Sequence, residues 1–366
     1  MIMNTDNSIL AHQPKQRNVA LDLIRVIAIF LVLFQHSSEF YYIGPNLSLT
    51  NYSDTHLIGW MNSLSRICIG LFVMISGYFL LPMKTGARAF FHRRFTRILW
   101  PWVFWCVAFA VYYVFYRGDS SQQCLVNILN IPVNWGVQVG HLWYIYMLIG
   151  IYLIIPVLSP WAQTCSKRAM QMFLLLWAVT TLLPYIHLVT PEVWGECPWN
   201  HTPSLYYFTG FVGYLVLGSY IRRFGPSRKG IAVAILLVGY VATAMIFNSR
   251  IASVSNVVEL EVPWDFCSLN VAMMAYGMFS LLSQWHVKNS GWLPRLITSI
   301  SACSFGMYLS HIMLLNAAHD ILEGLSQSVA LMIPLIAVST FVTTYIAVWL
   351  LSYLPAAKYW LGVEHR

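Results

Sequence analysis

VALDLIRVIAIFLVLFQHSSEFYY, residues 19–42, is one long apolar run that carries Asp22, Arg25, His36 and Glu39 inside it. As a helix, 24 residues at a rise of about 1.5 Å would exceed the roughly 30 Å of a bilayer's hydrocarbon core. Similar runs recur at 63–82, 98–117, 142–161, 171–190, 204–221, 230–248, 268–286, 298–318 and 329–352. Only helices or closed barrels satisfy the backbone in lipid, and the period-2 alternation of a barrel is absent. The expectation is an all-α polytopic membrane protein of about ten transmembrane helices.

Composition agrees with that reading. Of 366 residues, 58% are hydrophobic and only 9% charged, against about 25% charged in soluble domains. Mean hydropathy is +0.63. The net charge of +8 sits on alternate loops, so it reads as topology and not as nucleic-acid binding. Lys15, Arg17, Lys84, Arg88, Arg93, Arg94, Arg97, Lys167, Arg168, Arg222, Arg223, Arg228, Lys229, Lys288, Arg295, Lys358 and Arg366 all fall on one side of the ten spans. The positive-inside rule makes that side, and both termini, cytoplasmic. The opposite loops hold Arg117 and Arg250 and most of the acids.

Residues 1–18 are expected as a cytoplasmic N-terminal segment without a cleavable signal, 19–352 as the membrane domain, and 353–366 as a cytoplasmic tail. The outward loops near 43–62, 118–141, 191–203 and 249–267 are too short for a soluble domain, and their Trp and Tyr suit either an interfacial belt or a polar ligand's entrance. Seven scattered cysteines without a CxxC pair argue against a metal site, and Cys124, Cys197 and Cys267 leave room for one outer disulfide.

Ionisable residues inside spans are costly in lipid and mark function by default. Arg25 and His36 are eleven residues apart, three turns plus about 20°, so they share a face about 16 Å apart along the axis. Such a face suits a donor threaded from one leaflet, its phosphate or polar arm on the guanidinium and its reactive end at the imidazole. Glu39, three residues beyond, is a helical neighbour able to orient the ring. The structural alternative is an Arg25 that snorkels and a His36 that merely packs.

Several segments in order carry a resemblance to a known family. The first run resembles the Arg-x10-His signature of the bacterial membrane acyltransferase-3 family. Cys68–Tyr78 (CIGLFVMISGY) resembles its Phe…Ser-Gly-Tyr pattern, and Arg94-Phe95-Thr96-Arg97-Ile98 its Arg-x-x-Arg-Ile motif. His141-Leu142-Trp143-Tyr144 resembles its His-Leu-Trp-Tyr segment, and Ser304–His311 (SFGMYLSH) its Ser-x-Gly-x-Tyr-Leu-x-His element. Together they cover residues 19–352.

The resemblance implies a transferase of acyl groups other than aminoacyl groups. It would move an acyl group, usually acetyl, from cytoplasmic acyl-CoA to a hydroxyl of a surface polysaccharide or lipid-linked sugar, in a bacterial inner membrane. His36 then maps to the catalytic histidine, with Glu39 as its partner and Arg25 one face below. Arg93, Arg94 and Arg97 are expected to grip CoA phosphates. His141, Trp143, Tyr144, Ser304, Tyr308 and His311 are expected to line the pore or meet the acceptor, and Arg66 to stand near Glu39. Acetyl-CoA serves as co-substrate, with no permanently bound cofactor and no metal. Direct attack by the sugar and a short-lived acyl-histidine both fit.

Many family members append an esterase-like domain. None is legible here, so either direct acylation or a separate extracytoplasmic transfer partner is expected. The alternative function is a transporter or flippase for a lipid-linked glycan, which needs no acyl-CoA.

Overall fold

Asn18 sets the start of the first helix, its side-chain oxygen accepting from the Ala20 and Leu21 amides at 3.1 and 3.3 Å. Asp22 in the first turn complements the helix dipole. From that cap the apolar run continues as α1 (Val19–Glu39). The computed structural model describes residues 17–134, 140–202, 204–285 and 290–363. Lys15, Lys288, Arg366 and most of the N-terminal segment 1–18 lie outside the described residues.

After α1 come α2 (Tyr52–Ser63) and α3 (Cys68–Leu80), joined by a tighter turn at Leu64–Ile67. They are followed by α4 (Ala87–Tyr116), α5 (Ser121–Leu129), α6 (Trp143–Thr164), α7 (Lys167–Thr180) and α8 (Val212–Phe224). The chain continues with α9 (Lys229–Arg250), α10 (Leu269–Ser283), α11 (Trp292–Leu322) and α12 (Val329–Leu351). A short helix at Ala357–Trp360 packs back on α4. No strand forms among the described residues, so the fold is an all-α polytopic membrane protein.

Nine helical segments among the described residues are long and apolar enough to cross a membrane. The expected tenth, the run at 204–221, differs. Its helix is α8, only 13 residues, or about 20 Å. The chain before it is turned by Gly210 at φ +76°, whose carbonyl accepts from the Trp177 indole N–H at 2.8 Å.

Other helices overrun their apolar runs. α4 begins at Ala87, eleven residues before its hydropathy run, because a helix continues into water wherever its residues allow it. Its arginines therefore ride on a regular helix. Likewise α2 and α5 occupy stretches expected as outer loops, α5 capped by Ser120.

α1 is the central helix. It packs against α3, α10, α11 and α12, and buries residues on every side, from Leu21 and Ile24 to Leu33 and Ser38. α9 contrasts: its buried residues Ala232, Gly239, Thr243, Ala244 and Phe247 face α10, α2 and Trp264, and most of its other residues are exposed or half-buried. All seven cysteines are free, so the outer disulfide left open by the sequence does not form.

Candidate active site

The N-terminal end of α1 opens into a cavity of about 1650 Å³. Asp22, only 2% exposed, gathers three donors there. Arg17 Nε donates at 2.6 Å, Arg25 Nη1 at 3.2 Å and the Ser301 hydroxyl at 2.6 Å. Arg25 thus faces the cavity instead of snorkelling through lipid, with its guanidinium 5.4 Å from the Phe79 ring centre. The acid also ties α1 to α11, since Arg17 Nη2 reaches the Thr298 carbonyl at 3.1 Å.

Nine cations line this cavity: Arg17, Arg25, Lys84, Arg93, Arg94, Arg97, Arg222, Arg295 and Lys358. Asp22 is the single carboxylate among its described lining residues. Arg93 is braced, Nη2 on the Thr85 hydroxyl at 2.7 Å and Nε on the Ala89 carbonyl at 3.2 Å. Arg94 lies 6.0 Å from the Phe90 ring centre. Such a recess focuses positive potential and concentrates anions.

The cavity is bounded deep in the bundle by Phe72, Tyr144 and Tyr308. The Tyr144 and Tyr308 rings stand edge to face at 5.2 Å, and the Tyr308 hydroxyl donates to the His141 carbonyl. Ser304, one turn before Tyr308, also lines the cavity. Tyr144, Ser304 and Tyr308 therefore line the basic recess.

Past the tyrosines three histidines converge. His36 and His311 have ring centres 5.4 Å apart, and His141 and His311 4.8 Å. His36 Nδ1 is 3.0 Å from Glu39 Oε2, the contact expected from their spacing. Their side chains are 17% and 34% exposed, so this end of the site is partly open, whereas His311 is fully buried. His311 Nδ1 meets the Tyr308 carbonyl at 2.7 Å, and His141 Nε2 the Leu309 carbonyl at 3.3 Å.

Trp143 stands apart, while Arg66 stays within electrostatic reach of Glu39 but has its ion pair elsewhere. Trp143 packs between Phe211 and Phe266 and does not line the cavity. Arg66 is buried over the Trp264 ring at 4.0 Å, with Glu261 Oε1 at 3.6 Å and the Tyr42 hydroxyl at 3.5 Å. Its ion pair runs to Glu261, and Glu39 pairs with His36 instead. On the loop after α7, a hydrogen bond with His187 holds the Glu196 carboxyl below the usual carboxylate range.

Asp22 is the site residue that sequence reasoning left without a role. Its sequence signal is a carboxylate inside an apolar run.

A family model described as an acyltransferase domain, that of the acyltransferase-3 family, matches residues 18–353. No curated protein and no solved structure matches the chain. The family match spans every motif residue just located, and the chain belongs to the acyltransferase-3 family of membrane acyltransferases.

Proposed function

We propose that the protein takes an acyl group, acetyl by default, from cytoplasmic acyl-CoA and transfers it to a hydroxyl of a surface polysaccharide or lipid-linked sugar at a bacterial inner membrane. The observation that carries this reading is the nine-cation recess ending at Tyr144 and Tyr308, with His311 between Tyr308 and the His36–Glu39 pair. Guanidinium groups match phosphates in charge and in fork geometry, which suits Arg93, Arg94, Arg97 and Arg25 to a coenzyme with several phosphates. The thioester arm would pass Tyr144 and Tyr308 to reach His36.

In the direct route, His36 Nε2 takes the acceptor's hydroxyl proton as the oxygen attacks the thioester carbonyl. The new C–O bond forms and the C–S bond breaks. The CoA thiolate then receives the proton from the imidazolium, which Glu39 has stabilised. In the acyl-histidine route, the same nitrogen carries the acyl group between the two partners.

The test is release of CoA from acetyl-CoA by purified protein, with extracted surface polysaccharide as acceptor. His36→Ala is expected to lower turnover by about 10²–10⁴-fold while the protein still elutes as the folded species. Normal turnover by that variant would remove His36 from the mechanism. Movement of glycan without CoA release would favour a flippase.

A further inference from the structure

The side chains expected to meet the acceptor do not gather in one place. Tyr144, Ser304 and Tyr308 line the cationic recess, and Trp143 is packed between Phe211 and Phe266. That recess reaches along α4 as far as Ile98 and along α11 as far as Tyr308. Further along the same two helices, past the histidines, a different set of groups comes together. The Asn316 amide donates to the Tyr112 hydroxyl at 3.2 Å, and the Tyr116 hydroxyl donates to the Asp320 carboxylate at 3.3 Å. Both helices step by four residues between these pairs, so they run side by side in one direction with the contacts one turn apart. The Tyr112 and Tyr116 rings lie 14° from parallel, their centres 5.0 Å apart.

These groups are continuous with the catalytic end of α1. Phe40 stands one turn beyond His36 on the same face, and its ring stacks on His319 at 4.0 Å. His319 Nδ1 is in turn 3.4 Å from Asp320 Oδ1. Asn316 and Asp320 lie five and nine residues past His311, about 7–14 Å along the helix axis, and the His311 ring centre is 5.4 Å from that of His36.

Tyr116 and Asp320 are exposed, at 43% and 51%. A carboxylate offers about four lone-pair sites. Tyr116 and His319 occupy two of them, so Asp320 can still accept from two neighbouring hydroxyls. A sugar ring carries hydroxyls around its rim and C–H groups on its faces. The rim suits the carboxylate, and the faces suit an open aromatic ring.

We propose that Tyr112, Tyr116 and Asp320 form a subsite that holds a sugar ring of the acceptor next to the one acylated at His36. The inference rests on the glycan acceptor proposed above and names where that chain is held. At about 7–14 Å beyond the histidines, the subsite binds a neighbour of the reacting sugar and not that sugar itself. Binding of such a remote part helps present the acceptor hydroxyl at the reacting centre.

The probe is oligosaccharide fragments of extracted surface polysaccharide, titrated into purified protein without acetyl-CoA. Asp320→Ala and Tyr116→Ala are each expected to weaken binding by about 10-fold. They should lower kcat/KM for the fragments by the same factor, with KM for acetyl-CoA and the thermal midpoint as in wild type. Asp320→Asn keeps the shape and one acceptor, so it should fall in between and serves if the alanine variant does not fold. Phe115→Ala is the control, a ring on the same helix that is almost fully exposed, and should change nothing.

If the two pairs only fasten α4 to α11, the variants will lower the midpoint and leave binding unchanged. If the tyrosines are only an interfacial belt, Tyr116→Ala and Phe115→Ala will behave alike. Either outcome would overturn the proposal, as would wild-type protein that binds no fragment. Wild-type protein that binds the fragments but releases no CoA would overturn the acyl-CoA reading and leave the subsite standing.

Discussion

Asp22 and Arg66 mark the limits of reading single residues from spacing. The His36–Glu39 contact follows from an interval of three within one helix, so it was legible before any fold was known. The partners of Asp22 were not, because Ser301 lies 279 positions away and only the packing of α1 on α11 brings it close. Arg66 likewise finds Glu261 on a distant loop, while Glu39, its expected neighbour, is occupied by His36. Helical periodicity reports which side chains share a face and is silent about what that face meets. Because Asp22 accepts from three groups, Asp22→Ala leaves the Ser301 hydroxyl and two guanidinium groups without their acceptor. Arg17 and Arg25 side chains are 50% and 32% exposed to the cavity, so water offsets part of that loss. The expected cost is about 1–3 kcal/mol, read as a lower thermal midpoint in detergent. An unchanged midpoint would mean that Asp22 does not tie α1 to α11.

Among elements, the crossing of α3 and α8 shows why a motif glycine stands where it does. A Cβ on Gly77 would lie 1.9 Å from the Leu215 carbonyl oxygen, and one on Gly218 would lie 2.0 Å from the Met74 carbonyl oxygen. The two glycines answer one another across the interface, and the helix backbones touch. Small residues permit such an approach in membranes, where dispersion replaces the hydrophobic effect between helices. Gly77→Ala or Gly218→Ala must push backbone against backbone, at an expected cost of at least 1–3 kcal/mol. Gly150→Ala is the control, since nothing lies within 4 Å of its added methyl. The check is the folded fraction after heating, by size-exclusion in detergent: a large loss for the first two and none for the control. Hydropathy located the α8 region but not its length, because it measures tolerance for lipid and not where a helix begins. α8 is short because residues 204–211 turn at Gly210, tied to Trp177, before the helix starts.

At the scale of the whole molecule, charge segregation was legible from the loops alone. The sequence could not show that these cations, scattered from Arg17 to Lys358, converge on one recess, because convergence depends on how α1, α4, α8, α11 and the C-terminal turn pack. The fold class came from composition and run length, with one apolar run resolving into the short, buried α8. The recess also bears on the cell's energy supply. A cavity of this size brings water deep into the bundle from one side, while His36 and Glu39 are partly open beyond Tyr144 and Tyr308. Those two rings, with the Tyr308 hydroxyl fastened to the His141 carbonyl, are then a seal in the membrane's insulation. Protons that crossed it along the histidines would drain the ion gradient with each idle cycle. Vesicles carrying the double variant Tyr144→Ala, Tyr308→Ala should lose an imposed pH gradient faster than wild-type vesicles, and equal decay would locate the barrier elsewhere. On the proposed acyl-CoA route, the tyrosine pair lets an acyl arm through while remaining closed to the smallest ion in the cell.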